Sequence, residues 1–475
     1  MSTVKSDSTE AVVDVRDPLP RLTALFDSGT MAVMHDDGAS GVMTARGDIG
    51  GTAAIAYCSD ARVMGGAMGT DGCRQMVETI DTAVRERIPV IGIWHCGGAR
   101  LGDGVVSLDA VGQVFAAMVR ASGQVPQISV VLGPAAGGAA YGPALTDIVI
   151  MSATGRIFVT GPEVVKSVTG EQADMESLGG PEVHGKKSGV AHVTTKDDAT
   201  ALATARDLAS LLGHQGRIEV EDARDNHDLG SMLPAEANRA YNVKPLVKAL
   251  LDSGEDVESP VELHGKWAAN IVTVLGRFAG RTVGVIANNP LRMGGCLNAE
   301  AAEKAARFVR MCDAFGVPML VLVDVPGYLP GLGQEWDGVV RRGAKLLHAF
   351  AESVVPRVTL VTRKDYGGAY IAMNSRSLGA TAVFAWPTFE IAVMGAAAAV
   401  NVLHRKKLAA APPEERDALR DKLIAEQERN AGSASRAIEI GVIDEVIEPA
   451  NTRVRLARAL AEAPPARGAH GNIPL

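Results

Sequence analysis

Short, almost wholly apolar runs alternate with amphipathic stretches along most of this chain. Val358-Thr359-Leu360-Val361-Thr362 is β-branched and reads as a buried strand; it leads to Gly367-Gly368-Ala369-Tyr370, after which the pattern turns polar and helical. Earlier, Val130-Val131-Leu132 leads in the same way to Gly137-Gly138-Ala139-Ala140-Tyr141. Both stretches predict a strand, a glycine turn and a helix start.

The rest of the first half fills in around that unit. Arg21 to Phe26 predicts a short helix ending at Asp-Ser-Gly, and GVMTARGDI and GTAAIAYCS predict paired strands. Asp71 to Arg87 predicts a helix with Val77, Ile80, Val84 and Ile88 on one face. A strand from Val90 to Trp94, a helix from Asp109 to Ser122, a strand from Ile128 to Leu132 and a helix from Asp197 to Leu212 follow. Repeated strand-strand-helix units of this length point to an α/β fold with right-handed crossovers.

The pattern then repeats. Gly138 and Gly368 are 230 positions apart (368 minus 138), as are Thr52 and Thr282. Pro89 and Pro318, and Gly65-Gly66 and Gly294-Gly295, are 229 apart; Asp27-Ser28-Gly29 and Asp252-Ser253-Gly254 are 225 apart. Such spacing marks a diverged tandem repeat of one domain. The expected organisation is a flexible leader (1–16), a first domain (17–235) and a second domain (240–475), with the Asp, Asn, His, Gly and Pro of 222–240 as the boundary. A charged segment between His404 and Ala431 widens the spacing of Gly189 and Gly441 to 252 and reads as a solvated helical hairpin or an interaction surface. The final PPARGAHGNIPL reads as an irregular tail.

Composition narrows the function. With 475 residues and 47% hydrophobic content, the chain can bury two large cores. A formal net charge of -8 and 4% aromatic content offer neither a basic footprint nor stacking platforms, so no nucleic-acid partner is expected. The five cysteines show no C-x-x-C spacing and read as free thiols in a reducing compartment, with no metal site. The polar start MSTVKSDSTEAVVDV and the interrupted apolar run Ile128 to Met151 predict a cytoplasmic protein without a membrane span.

A glycine turn at a helix start leaves backbone amides without intrahelical partners and without a bulky Cβ in front of them. Two such cassettes suggest two sites for developing oxyanions, each donor typically worth about 3 kcal/mol in the transition state. No His, Glu or Asp is placed beside both cassettes in a way that compels a base role; Asp365 and Tyr366 read as a turn-capping carboxylate and a core aromatic.

Several longer stretches carry a resemblance. NNPLRMGGCLNAEAAEKAARFVRMCDAFGVPMLVLVDVPGYLPG, EWDGVVRRGAKLL, RKDYGGAY, AWPTFEIAVMGAAAAVNVLHR and GNIPL resemble the carboxyltransferase β subunits of acyl-CoA carboxylases, nearest to the acetyl/propionyl-CoA carboxylase β chains of mycobacteria and related actinobacteria. The resemblance spans about residues 20 to 475. It implies a tandem duplication of two crotonase-like (ClpP/crotonase spiral) domains and a homo-hexamer with each active site between the N-terminal domain of one subunit and the C-terminal domain of another. It also implies transfer of the carboxyl group of carboxybiotin to the α-carbon of acetyl-CoA or propionyl-CoA, giving malonyl-CoA or methylmalonyl-CoA for fatty-acid and mycolic-acid synthesis. The carboxyltransferase subunit of a biotin-dependent acyl-CoA decarboxylase and a non-catalytic scaffold are the alternatives.

Residue roles follow from the same resemblance. The amides of Gly137 and Gly138 would face the acyl thioester and those of Gly368 and Ala369 the biotin, although the repeat offset alone pairs Gly138-Ala139 with Gly368-Ala369. Gly65, Gly66, Gly97, Gly98, Ala99, Arg100 and Ile371 would bind acyl-CoA; the Arg100 guanidinium suits the CoA phosphates by its own chemistry, with a surface salt bridge as the equal alternative. Gly294, Gly295, Pro326, Gly327, Tyr328 and Tyr370 would bind biotin, the loop from Val325 to Gly331 lining its channel. Ile371 stands where many propionyl-type members carry Asp and predicts a short, apolar acyl pocket. Biotin would arrive on a partner, an α subunit with biotin carboxylase and biotin carrier, because this sequence has no Ala-Met-Lys-Met site. Two departures stand out: many members carry several tens of further residues before the position of Asp17, and the zinc-ribbon cysteines of the split bacterial enzyme are absent.

Overall fold

A computed structural model describes residues 14–223, 228–236, 238–255, 257–431 and 434–474. The expected leader, apart from residues 14–16, and part of the expected boundary lie outside the described residues.

The repeat is visible as two eight-stranded sheets. The first contains β1 (Ala32–His35), β2 (Val42–Ile49), β3 (Thr52–Ser59), β4 (Val90–Cys96), β5 (Gln127–Ala136), β6 (Ile148–Met151), β7 (Arg156–Phe158) and β8 (Val193–Thr194). The second contains β9 (Val261–Leu263), β10 (Ile271–Phe278), β11 (Arg281–Asn288), β12 (Met319–Val325), β13 (Arg357–Tyr366), β14 (Ala382–Ala385), β15 (Glu390–Ala392) and β16 (Glu445–Val446). Strand order is β1-β2-β3-β4-β5-β6-β8 with β7 on β5, and β9-β10-β11-β12-β13-β14-β16 with β15 on β13. In each sheet an antiparallel trio passes into parallel strands joined by crossover helices.

The sequence offset needs one correction. Thr52 pairs with Ile49 and Arg281 with Phe278, each closing its hairpin, so Thr52 corresponds to Arg281 at 229 and not to Thr282. The step to 230 comes between β4 and β5, since Gln127 and Arg357 both open their strands.

Both sheets bulge at the same place. The β4–β5 register shifts between Trp94 and Cys96, and the β12–β13 register between Val323 and Val325. A bulge turns the strand ends, and β5 and β13 run on past it to pair with β7 and β15. This carries β5 four residues beyond the expected Leu132 and delivers each glycine cassette.

Other helices sit close to expectation. The helix Thr70–Glu86 centres its buried face on Cys73, Met76, Ile80 and Ala83, with Val77, Val84 and Ile88 at its margin. The helix Val105–Ala121 starts four residues before Asp109, with Val105, Val106 and Leu108 exposed. The charged insertion forms a helical hairpin: Pro413–Ala431 packs back on Ala396–Leu403 and Arg405–Ala410 around Val400, Leu408 and Leu423. One continuous core joins the first sheet to helices of the second domain, running from Ile91 and Val130 through Leu208 to Ala305 and Phe308. No helix among the described residues is long and apolar enough to cross a membrane.

Candidate active site

The two cassettes begin alike. Each strand ends in extended backbone, Ala136 at φ -112° and Tyr366 at φ -114°, and the chain then turns through a left-handed glycine, Gly137 at φ 59° and Gly367 at φ 63°. Glycine adopts that conformation without a Cβ penalty.

Beyond the turn they diverge. Gly137–Ala140 forms a 3-10 turn, a pattern that leaves its first two amides without an intraturn partner; Gly367–Ala372 is α-helical, a pattern that leaves the first three without one. The amides left over are those of Gly137 and Gly138 in one cassette and of Gly367, Gly368 and Ala369 in the other. This local difference gives a physical reason why the two sites need not share one register.

Neither second glycine is forced by packing. A Cβ on Gly138 would meet only Val111 Cγ1 at 3.6 Å, and a Cβ on Gly368 only the Tyr328 ring at 3.8 Å, both ordinary contacts. The space before these amides is open within the chain.

The flanking glycines behave differently. A Cβ on Gly66 would lie 2.1 Å from the His95 carbonyl oxygen, and one on Gly295 2.6 Å from that of Asp324, so close backbone packing alone requires glycine at both. Gly65 and Gly294 face open space with φ of 67° and 64°. Gly97 is exposed, whereas Gly98 tucks under Ala136, whose carbonyl oxygen would be 3.0 Å from a Cβ. Ala99 bridges to Met68 as Tyr328 does to Leu297. Arg100 turns inward: its guanidinium donates to the carbonyls of Ala67 (3.1 Å), Ala39 (3.2 Å) and Ser40 (2.8 Å), closing the loops beside the first cassette.

On the second side, Pro326 and Gly327 follow β12, and the Tyr328 ring spans from Gly368 to Gly343 of the helix Val339–Glu352. Burial pushes its phenol up to about 12. Tyr370 is half-buried and its phenol is raised by burial and by Asp365. Ile371 is 44% exposed, and Tyr141 at the matching position of the first cassette is 51% exposed.

Asp365 is not a turn cap. It lies within β13, is 3% exposed, and its Oδ1 has no hydrogen-bond partner among the described residues; burial raises its carboxyl well above the usual range. Burial disfavours its charged form, and the matching position of the first cassette is Ala135. Tyr366 is a core aromatic whose hydroxyl donates to Glu390.

A buried pair escaped the sequence reading. Arg363 Nε donates to Asp324 Oδ2 at 2.8 Å, and the guanidinium stacks 4.7 Å from the Tyr241 ring. The matching positions in the first domain are His95 and Gly133, and the His95 ring lies where a Gly133 Cβ would be 2.5 Å away. The repeat offset was the signal that could have found it. Among the described residues no cluster of three His, Cys, Asp or Glu side chains is placed to hold a metal ion, and all five cysteines are free.

Comparison with known proteins fits this architecture. Residues 7–466 match the carboxyl transferase domain family. The chain is 59% identical over 476 residues to the biotin-dependent acetyl-/propionyl-coenzyme A carboxylase beta6 subunit of Mycobacterium tuberculosis, covering all of both chains. It is 62% identical over 468 residues to the propionyl-CoA carboxylase beta chain of Rhodococcus erythropolis, covering 98% of each. It superposes with a TM-score of 0.88 on the transcarboxylase 12S crystal structure with methylmalonyl-coenzyme A bound, at 40% identity, covering 96% of this chain and 92% of that one. Two matched crotonase-like sheets with a glycine cassette on each, and relatives this near over their whole length, make the chain a carboxyltransferase of the carboxyl transferase domain family, in the branch of biotin-dependent acyl-CoA carboxylase β subunits.

Proposed function

We propose that this chain moves a carboxyl group from carboxybiotin to the α-carbon of acetyl-CoA or propionyl-CoA, with Gly137-Gly138 serving the acyl thioester and Gly368-Ala369 serving biotin. The observation that carries this reading is the pair of open glycine turns at matching ends of β5 and β13, one per domain.

The residues fit both groups. Removing a proton beside a thioester, which the biotin enolate left after loss of its carboxyl group would take up, builds negative charge on the thioester oxygen, and amides fixed at a turn stabilise it without reorganising. Gly137 and Gly138 offer two such donors, with Gly97 and Gly65 open beside them. On the other side the exposed Gly368 leaves a cradle that a side chain would fill, walled by the Tyr328 ring. When bound there, carboxybiotin supplies the carboxyl group, and the carrier swings it in from another chain. Ile371, exposed one helical position beyond Tyr370, would set the length of the acyl pocket.

The chain is further proposed to act in the cytoplasm as a homo-hexamer beside a biotinylated α subunit, without a metal of its own. Support comes from the biotin-dependent relatives and from the hexamer of the 12S structure. Mixing the chain with a biotinylated α subunit, ATP, bicarbonate and either acyl-CoA should yield malonyl-CoA or methylmalonyl-CoA. Release of CO2 from those products without any forward carboxylation would favour a decarboxylase role.

A further inference from the structure

Ala144 of the short helix Tyr141–Leu145 and His192 face His264, Trp267 and Arg307 of the second domain across a cavity of about 160 Å³. Neither cassette lines it, nor do their flanking glycines. The space suffices for a guest of a few heavy atoms.

Its walls offer more donors than acceptors. The two imidazoles stack with ring centres 4.1 Å apart, and both are buried. Burial lowers His264 to about 3 and His192 well below its ordinary value, so at neutral pH each ring is uncharged and carries one proton. His264 spends its proton on Gly189 O, 2.9 Å from Nε2. In His192, Nδ1 accepts from Val149 N at 3.1 Å, which leaves the ring proton on Nε2. Arg307 Nε lies 3.2 Å from that same Nε2. A neutral ring does not accept at both nitrogens, so two N–H groups meet there and one lacks an acceptor. Trp267 adds another: it is 9% exposed, and its indole Nε1 is buried without a hydrogen-bond partner.

The charges around the cavity have one sign. Lys304, 1% exposed, donates to the carbonyls of His264, Trp267, Ala268 and Ile271 at 2.7 to 3.4 Å. Arg307 Nη2 donates to the carbonyls of Thr146 and Asp147 at 3.0 and 3.4 Å. The carboxylate in the lining, Glu303, is taken up by Lys345 at 2.6 Å and Arg342 at 3.6 Å. Asp147 spends its oxygens on Asn472 and Gln127 N, at 2.7 and 2.8 Å. Carbonyls therefore hold both cations, and no carboxylate among the described residues is left to neutralise them. Unpaired charge and unmade donors in a buried place are costly, and an anion relieves both.

We propose that this cavity binds one small oxyanion, bicarbonate or a monocarboxylate of the size of formate, with the Trp267 indole, His192 Nε2 and Arg307 as its donors. An oxyanion presents separate oxygens to the indole and to the His192 and Arg307 pair, which a single halide does not.

Calorimetric titration of the full chain with sodium formate, sodium bicarbonate and sodium chloride at constant ionic strength tests it. One oxyanion should saturate a single site per chain about tenfold more tightly than chloride, and saturating acyl-CoA should leave that binding unchanged. The tighter of formate and bicarbonate identifies the source of the ligand, and either upholds the site. Trp267→Phe keeps the ring and removes its N–H; His192→Asn keeps an acceptor for Val149 N and removes the Nε2 donor. Each should weaken binding about tenfold or more, as loss of a hydrogen bond to a charged group does. If a variant does not fold, crystals of the parent soaked in formate decide: an anion in the cavity upholds the site, and an empty cavity overturns it. Absence of saturable binding, binding that both variants leave intact, or displacement by acyl-CoA overturns it. Binding that appears only in a chain ending at Pro474 overturns it too, because Leu475 would then be what fills the cavity.

Discussion

Arg206 Nη2 reaches Asp27 Oδ1 at 2.6 Å, and Asp27 in turn accepts the amides of Gly50 and Gly51 at 3.2 and 3.0 Å. The second domain repeats this clamp: Arg453 meets Asp252 at 2.9 Å, and Asp252 accepts Ala279 and Gly280 at 2.9 Å each. In both, a late helix holds the Asp-Ser-Gly turn, and the turn holds the tip of the central hairpin. Asp252 and Arg453 are 16% and 6% exposed at the side chain, against 26% and 31% for Asp27 and Arg206. Breaking a buried pair costs about 3–5 kcal/mol, whereas exposed pairs are worth about 1 kcal/mol or less. Asp252→Ala should therefore lower the thermal midpoint clearly more than Asp27→Ala, and equal losses would contradict this ranking.

A second pair bridges the domains and predicts a pH dependence. Glu258 accepts from Arg277 at 2.7 and 2.9 Å and from Ser210 Oγ of the first domain at 2.7 Å. The Arg277 guanidinium holds its carboxyl down at about 2, below the ordinary 4.5. With the folded value depressed, the stabilisation is present above pH 4.5 and fades as pH falls toward 2. Glu258→Gln should destabilise by about 2 kcal/mol at neutral pH. Denaturant midpoints should converge as pH drops below 4.5; a gap that stays constant down to the acid transition would show that Glu258 acts otherwise.

The repeat, the strand-turn-helix order and the α/β class were legible because they rest on period and on glycine, which local sequence carries. Asp365 misled, since an Asp beside a Gly pair reads as a turn cap, while the long β13 carries it into the core. The extra length comes from β15 pairing past the bulge, a tertiary event without a local pattern. Arg100 was ambiguous in sequence, because a guanidinium after a glycine turn suits phosphate as well as it suits the three carbonyls to which it donates. The tail read as irregular, which it is, but its anchors Asp313 and Ser122 lie 157 and 350 positions away in sequence.

Acyl preference should respond to Ile371. Its exposure next to the cassette gives it a surface to offer, and methylene-sized pocket changes discriminate by about 1 to 3 kcal/mol. Ile371→Asp should shift the acetyl to propionyl ratio of kcat/KM by about fivefold or more. Both constants falling together, with the ratio nearly unchanged, would remove Ile371 as the selector.

Sharing of sites between subunits has its own test. If each site joins a first domain and a second domain from different subunits, Gly138→Val and Gly368→Val subunits should complement each other when mixed. Sites formed by two unaltered halves would work again, so activity should rise well above that of either variant alone. No recovery after verified subunit exchange would place both cassettes of a working site in one chain.

The most direct measurement is partner-free: transfer of labelled carboxyl from malonyl-CoA or methylmalonyl-CoA to free biotin, comparing the parent chain with Gly368→Val. Because a Cβ at Gly368 meets only the Tyr328 ring at 3.8 Å, the variant should fold and assemble as the parent does. Loss of oxyanion donors costs about a hundred- to a thousandfold in rate. The parent should transfer the label, and the variant should fall by about a hundredfold or more with acyl-CoA binding retained. A correctly assembled Gly368→Val chain that transfers label at the parent's rate would contradict the assignment of the second cassette.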